Sequence, residues 1–449
     1  MNQTQIIEYV NAHPSGKVKL AIADIDGVLR GKYISKQKFM SVIDGELGFC
    51  DVVFGWDMAD VCYDNTTFTG WHSGYPDAKA KLDLTTFRKI PWENDVPFFL
   101  GEFIENAAEV CPRTLLKRII QDAENQGFKP FFSQEFEWFN FEETPASIHQ
   151  KGFQNLTPLT PGMFGYSVLR SSLRNDFMIN LFEQLTKFDI PIEGLHTETG
   201  PGVYEAAIAY SDILEAADRA ILFKTSVREI ANNQGIMATF MAKINENLPG
   251  CSGHVHQSLW DGDIKNNLFY DEKSPNKISK LMESYMAGQL HCLPYILPMI
   301  APTINSYKRL VEGAWAPTTL TWGIDNRTVA LRALPLGKKS CRLETRVVGS
   351  DTNPYLALAA CLAAGLYGIR KNLKLTQPAT IGNGYRDISN GILPRNLDEA
   401  TQAMKNSEVA KELFGEKFVE HFTQTREWEW RQHAKAVTDW ELKRYFEIV

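Results

Sequence analysis

Paired cysteines are the first thing missing. Cys50, Cys62, Cys111, Cys251, Cys292, Cys341 and Cys361 are scattered singly through 449 residues, an odd number with no C-x-x-C pair among them. That pattern excludes a disulfide scaffold or a zinc ribbon and makes a reducing cytoplasm the expected compartment. A long apolar run is missing too. The most apolar stretch, Tyr355 to Ile369, covers 15 residues, whereas a membrane span needs roughly 20. Met1–Lys17 has no basic segment followed by an apolar one, so no secretory leader is expected. Positive charge is in deficit, with 47 Lys+Arg against 54 Asp+Glu and a net charge of −7. A general nucleic-acid binder needs a basic face and is therefore excluded. Neither G-x-x-x-x-G-K-[ST] nor a G-x-G-x-x-G after a strand occurs, so any ATP site is of another design.

The composition that is present is globular: 44% hydrophobic and 22% charged residues exclude wholesale disorder. The length suits one large or two linked domains. Ile6, Ile7 and Val10 have helical spacing, stopped by Pro14-Ser15-Gly16. Val18–Asp24 reads as a strand, and Asp26-Gly27 as the turn of a hairpin whose second run ends near Ile34. Further short strands are expected at Val52–Phe54, Lys81–Leu84 and Val96–Glu102. Together they define a small β-rich domain over 1–109, with the boundary in Asn106–Cys111. The larger part, 110–449, opens on a helix over Thr114–Gln126 with Leu115, Leu116, Ile119 and Ile120 on one side. Phe128–Phe139, Gly194–Ala209 and Met237–Ile244 read as strand-rich. Arg170–Phe188, Ser211–Asn232, Lys277–Gly288, Asn353–Lys371, Leu397–Lys405 and Glu408–Val449 read as helical. The fold class is α+β.

Four short motifs could carry chemistry. In Phe131-Phe-Ser-Gln-Glu135-Phe-Glu137-Trp-Phe139 two glutamates at spacing two share one strand face between aromatics that belong inside. Such a pair is either a solvated face or a cation site, because carboxylates held in an apolar frame repel unless a cation separates them. In Gly194-Leu-His-Thr-Glu198-Thr-Gly-Pro-Gly-Val-Tyr-Glu205 the Gly200-Pro201-Gly202 turn can bring Glu198 and Glu205 to one place. His254 and His256 share a face after the glycine-rich Gly250-Cys-Ser-Gly253, a pattern open to a metal or to phosphate. Last come the arginines: Arg309, Arg327, Arg332, and the alternating Arg342, Glu344 and Arg346, which point to one side of a strand. Arginine's planar fork suits carboxylate and phosphate oxygens. Carboxylates, a histidine and clustered arginines are the parts that Mg²⁺- or Mn²⁺-assisted phosphoryl transfer needs.

Taken in order, these motifs resemble the glutamine synthetase superfamily over nearly the whole chain. The most specific stretches are Glu193-Gly-Leu-His-Thr-Glu-Thr-Gly-Pro-Gly, Gly253-His-Val-His-Gln-Ser, Asn305-Ser-Tyr-Lys-Arg-Leu, Asn326-Arg-Thr, Arg342-Leu-Glu-Thr-Arg, Asn353-Pro-Tyr and the ending Val437-Thr-Asp-Trp-Glu. The resemblance implies a β-grasp-like N-terminal domain before a large catalytic domain whose antiparallel sheet lines the active site. It implies two or three Mg²⁺ or Mn²⁺ ions per site, with Glu137, Glu198 and Glu205 on one ion and Glu135, His254 and Glu344 on another. Arg309 and Arg346 would hold the glutamate carboxylate, and Arg327 the transferring phosphoryl group. Arg332, Arg342, His256 and Ser258 would lie on the ATP side. The implied reaction phosphorylates the γ-carboxylate of glutamate with ATP, and a nitrogen nucleophile then displaces phosphate. Family members form stacked rings, so a dodecamer is expected, with each site completed by a neighbour's N-terminal domain.

The departures from the family's pattern concern the nucleophile. Where glutamine synthetases carry a glutamate that helps take a proton from ammonium, this chain has Trp315 in Val311-Glu-Gly-Ala-Trp-Ala-Pro. Tryptophan cannot accept a proton, and its apolar surface suits an organic amine. Glu312 is the compensating candidate. Asp57, Asp60 and Asp64 compete for the role of the family's ammonium-binding aspartate, with Asp57 the favoured one. Pro249 replaces a common Asn near the glutamate backbone. These features resemble the γ-glutamyl-amide ligases of the superfamily, which act on polyamines or monoamines. The alternatives are an ammonia-using glutamine synthetase and a catalytically inactive structural relative. The second is disfavoured by the presence of all six implied ligands and all five arginines. Tyr385 is not expected to be modified, and Cys251 and Cys341 read as small apolar fillers.

Overall fold

The computed structural model describes residues 1–449. Lys17–Ala23 and Leu29–Ser35 pair antiparallel across the Asp26-Gly27 turn, as the sequence predicts. Gly27 has φ +79°, and a Cβ there would lie 2.9 Å from Cα of Asn353, so both handedness and space demand glycine. Lys17–Ala23 also pairs in parallel with Val96–Phe103, and Asp77–Leu82 and Leu47–Cys50 extend the sheet beyond it. Arg88–Ile90 adds a sixth strand. One face of this mixed sheet closes on the helices Gln3–Ala12 and Lys36–Val42 around a core drawn from Ile6 to Cys111. The other face, through Ala21, Ala23, Phe98 and Leu100, joins the main core.

The second sheet has nine strands. In spatial order they run Trp322–Ile324, Leu331–Leu334, Arg342–Thr345, Val255–Asp261, Phe128–Phe141, Val203–Ile208 and Ile192–Thr197, and two short strands pair with the ends of Phe128–Phe141. All pairings are antiparallel except that of Trp322–Ile324 with Leu331–Leu334. The 14-residue strand Phe128–Phe141 is the axis: its first half pairs with Val255–Asp261 and its second half with Val203–Ile208. Alternation sorts its side chains. Phe132, Gln134, Phe136 and Trp138 are buried on one face, against Phe223 and Phe240, while Glu135 and Glu137 point from the other. Behind the buried face lie the helices Ile213–Asn232, Lys280–Ile300 and Pro354–Arg370. Asp212 caps the first by accepting from Glu215 N, and Asn353 caps the last by accepting from Tyr355 N.

Several expectations are corrected. Val52–Phe54 is a single 3₁₀ turn, Asp51–Phe54, and the strand lies just before it. Asp51 turns inward to accept from Thr69 Oγ1, which ends the extended run. The segment Arg170–Phe188 is two helices, Val168–Leu173 and Asn175–Lys187, broken at Arg174, whose guanidinium reaches Glu142. Strand Met237–Thr239 stops early, and the amide of Lys243 is bound by the Asn305 side chain instead. The helix expected to end at Gly288 continues to Ile300 through Pro294 and Pro298. Gly288 is a packing residue there: a Cβ on it would lie 2.3 Å from the Ala364 carbonyl oxygen. At the C-terminus Gly415, with φ +84°, separates Glu408–Phe414 from Glu416–Lys435, and a short helix, Asp439–Tyr445, follows. No helix is long and apolar enough to cross a membrane. All seven cysteines are free, with Cys251 and Cys341 fully buried.

Candidate active site

The polar face of the nine-stranded sheet forms the floor of a cleft of about 820 Å³. Strand register brings the acids together. Glu137 lies opposite Glu205, which lies opposite His196 on the next strand. His256 lies opposite Glu344, which lies opposite Arg332. Glu198 follows the end of strand Ile192–Thr197 and accepts from the Thr199 amide at 2.7 Å. His254 Nδ1 is 2.8 Å from Glu135 Oε1 and 3.4 Å from Glu344 Oε1.

Two compact groups of ligand atoms result, each within 4.8 Å: Glu135, His254 and Glu344, and His196, Glu198 and Glu205. The first is the set the sequence motifs implied. In the second, His196 stands in the place expected for Glu137, which sits one strand over. Electrostatics mark this as a place for cations. Burial, followed by the carboxylates of Glu135, Glu137, Glu198 and Glu344, pushes the Glu205 carboxyl up to about 10. Burial pushes Glu137 up to about 7 even though the Ser252 amide donates to it. Burial, and then Arg346, lowers His254 to about 4, so its ring is neutral. Its Nε2 is buried without a hydrogen-bond partner, whereas buried polar nitrogens are normally satisfied. A neutral imidazole with a spare nitrogen beside carboxylates that cannot all ionise unaided fits divalent cations bound through O and N ligands. Burial alone would raise Glu135 and Glu344. The adjacent His256 and hydrogen bonds from both imidazoles hold Glu135 well below the ordinary value, and chiefly the Arg346 guanidinium holds Glu344 below it.

The arginines divide by position. Arg332 Nη1 donates to Glu344 Oε2 at 2.8 Å, and its other nitrogens reach Asp325. Arg342 Nε donates to His256 Nδ1 at 3.2 Å, and Trp260 Nε1 donates to Ser258 Oγ at 3.0 Å. Arg327 lines the cleft with an exposed side chain. Arg346 donates to Glu344, to Arg327 O at 3.0 Å and to Trp315 O at 3.4 Å. Of its five N–H donors, two remain for a ligand. Arg309 is placed differently from the expectation. It is 2% exposed behind the wall formed by Gly250 and Ser252, donating to Val347 O, Arg346 O and Ser252 Oγ. It does not line the cleft, although its buried Nε has no acceptor.

Trp315 and Pro249 line the cleft. Trp315 is 61% exposed and has φ +57°, a backbone conformation that is strained for an aromatic residue. Glu312 points away, 3.9 Å from Arg386. The three N-terminal aspartates lie outside this chain's cleft: Asp57 accepts from Trp428, Asp60 pairs with Arg30, and Asp64 with Arg431. Sequence reasoning missed two lining residues of interest. Tyr166, at φ +54°, lies with its ring 4.3 Å from that of His196. Lys339 lies at the arginine end of the cleft. Nothing in the loop sequence around Tyr166 signals the contact. His196 joins the acidic group through strand pairing opposite Glu205, which the sequence of its own strand does not signal.

Fold and site define an ATP-dependent ligase of the glutamine synthetase family, to which the chain belongs: the glutamine synthetase catalytic domain matches residues 109–445. Members of this family use ATP and divalent metals and are generally oligomeric. Among curated relatives, "Type-1 glutamine synthetase 2" of Dictyostelium discoideum is 55% identical, over 99% of this chain and 86% of that protein. "Glutamate–isopropylamine ligase" of a Pseudomonas species is 37% identical, over 100% of this chain and 99% of that protein. Among solved structures, the GmaS/ADP complex has the same fold, with a TM-score of 0.85 at 24% identity, over 98% of this chain and 99% of that one.

Proposed function

We propose that this chain uses ATP to phosphorylate the γ-carboxylate of glutamate and transfers the resulting γ-glutamyl group to an organic amine, releasing phosphate. The observation that carries the reading is Trp315: an exposed indole in the cleft, its carbonyl bound by Arg346, where ammonia chemistry would call for a carboxylate. Glu312 does not replace that carboxylate, because it is 62% exposed and turned toward Arg386. Full-length similarity to a glutamate–isopropylamine ligase supports the same reading.

Within it, Arg346 offers its two remaining N–H groups to the glutamate carboxylate, and Arg309 supports Arg346 from behind Gly250 and Ser252 by donating to its carbonyl oxygen. Arg327 faces charge developing on the transferred phosphoryl group. Arg332, Arg342, His256 and Ser258 hold the nucleotide phosphates, beside aromatic Phe131, Tyr210 and Trp260, faces on which a base can stack. Glu135, His254 and Glu344, and Glu137, Glu198 and Glu205, would hold Mg²⁺ or Mn²⁺, which offsets phosphate charge during transfer. Asp57 of an adjacent copy accepts a proton from the incoming alkylammonium. The freed lone pair then forms the C–N bond as the C–O bond to phosphate breaks, and the second proton on nitrogen leaves with the departing phosphate. In this reading a β-grasp-like domain (1–109) of one subunit covers the catalytic domain (110–449) of the next, within a cytoplasmic, dodecameric ring assembly.

Ammonia as acceptor is the second reading, favoured by the name of the 55% identical relative. Phosphate release is measured with ATP, Mg²⁺ and glutamate against ammonium, methylamine, isopropylamine, ethanolamine and a polyamine. An organic amine is expected to give the highest kcat/KM. Ammonium outpacing every amine would overturn the proposal in favour of glutamine synthesis. No turnover with any acceptor, together with no stabilisation by Mg²⁺-ATP, would indicate an inactive relative.

A further inference from the structure

The helix Glu416–Lys435 grips the loop that follows Phe54. Asn65 Nδ2 donates to Gln424 O at 2.8 Å, and the Thr67 amide donates to Gln424 Oε1 at 3.1 Å. Arg431 pairs with Asp64, and the ring of Tyr63 meets that of Trp428 edge-on at 5.8 Å. From the same helix, Trp428 Nε1 donates to Asp57 Oδ2 at 3.0 Å. The other carboxylate oxygen, Oδ1, accepts from the amides of Ala59 at 2.8 Å and Val61 at 3.0 Å. An ionised carboxylate has about four acceptor positions. Three are filled, and the free one lies on Oδ2, the oxygen that the indole orients.

Trp428 is well placed to impose that direction. It is 7% exposed, and the Arg431 guanidinium lies over its ring, 5.4 Å from the centroid. An indole N–H donates and cannot accept, so it fixes Asp57 without competing for a proton. The helix is anchored in turn. The Arg426 guanidinium, buried among Phe422, Asp26 and Pro302, binds the Asp26 carboxylate in the N-terminal hairpin turn and donates to Pro302 O at 2.8 Å, shortly before the Asn305–Arg309 segment.

We propose that Trp428 is a positioning residue for the acceptor step, setting the rotamer of Asp57 so that the free position on Oδ2 meets the amine. This rests on the reading of Asp57 as the group that takes the amine's proton. Full-length wild type, Trp428→Phe, Asp57→Asn and the double variant are compared by steady-state phosphate release with isopropylamine and with ammonium chloride. Phenylalanine keeps an aromatic ring against Tyr63 and Arg431 and removes only the N–H.

The expected result is a rise of about tenfold in KM for the acceptor in Trp428→Phe, the order of one hydrogen bond to a charged group. KM for ATP and for glutamate should stay within about twofold, and the melting temperature should be unchanged. In the Asp57→Asn background, Trp428→Phe should add nothing further, since the two act through one contact. A general loss, with all three KM values and the melting temperature moving together, would reduce Trp428 to a packing residue and overturn the proposal. So would an unchanged acceptor KM in Trp428→Phe beside a large effect of Asp57→Asn, which leaves the role of Asp57 intact. If Asp57→Asn itself leaves the acceptor step unchanged, the reading of Asp57 fails and the proposal falls with it.

Discussion

Replacing Glu205 by glutamine should make the metal-free protein more stable and the metal-loaded protein less so. Glu205 shares the cleft floor with Glu135, Glu137, Glu198 and Glu344, and its carboxyl is pushed from an ordinary 4.5 to about 10, first by burial and then by those neighbours. A carboxyl whose folded value is raised keeps a proton that the unfolded chain has released. Metal-free stability therefore falls as pH rises from about 4.5 toward about 10. Near pH 7.5 the protonation that the fold demands costs at most about 4 kcal/mol. Glutamine is close in size and carries no charge to neutralise. Metal-free Glu205→Gln should accordingly melt a few degrees higher than wild type near pH 8 and show a flatter dependence on pH. Wild type at a hundredfold excess of Mg²⁺ over its Kd should gain about 2.7 kcal/mol, and the variant distinctly less. The assay is scanning calorimetry of both proteins after EDTA treatment, between pH 6 and 9, with and without Mg²⁺. A metal-free Glu205→Gln that melts below wild type at pH 8 would refute the reasoning, as would one that keeps the full Mg²⁺ response.

Three further outcomes are expected. Trp315→Glu should move acceptor preference toward ammonium by about tenfold or more in the ratio of kcat/KM values, the scale of one lost apolar contact and one regained proton acceptor; an unchanged ratio would separate Trp315 from acceptor choice. Asp218→Asn should cost about 1–3 kcal/mol, because Arg113, 2% exposed, loses its two-point partner at Nε and Nη2 while keeping Glu102 and Asp83. A urea midpoint close to wild type would contradict this. Gly288→Ala, with its added methyl 2.3 Å from a backbone oxygen of the neighbouring helix, should cost about 1–3 kcal/mol by overpacking, read from the same urea curves.

Much of the site's layout is legible in alternation. Glu135 and Glu137 leave the strand on the face opposite Phe136 and Trp138, as period-two spacing requires. The run Arg342, Glu344, Arg346 likewise delivers its side chains to one cleft, though the strand itself ends at Thr345. Contacts made across the fold are not legible. Arg309 sits on a four-residue helix whose depth behind Gly250 and Ser252 is set by tertiary packing. His196 reaches the acidic group only because its strand pairs beside Glu205. Glycine and proline misled the reading of helix Lys280–Ile300. Gly288 permits a close helix crossing there instead of ending the helix, and Pro294 and Pro298 are carried inside a segment whose surroundings are almost wholly apolar. Local rules mark such residues as breakers, and the pull of the core overrides them.

The strand Phe128–Phe141 also sets an order of events during synthesis. It leaves the ribosome with Glu135 and Glu137 in place, but its neighbour Val255–Asp261 comes more than one hundred residues later, and Arg342–Thr345, which brings Glu344, comes about two hundred residues later. At about 5–20 residues per second the first interval, after which Val255–Asp261 can cover the edge, is about 6–23 s. For that time a long aromatic strand has an open hydrogen-bonding edge, a ready template for another chain. The glutamates that later serve the cleft are meanwhile the only charges on its central stretch, Pro130–Phe139. Charges so placed disfavour edge-to-edge pairing of the nascent strand before the cleft they line is built.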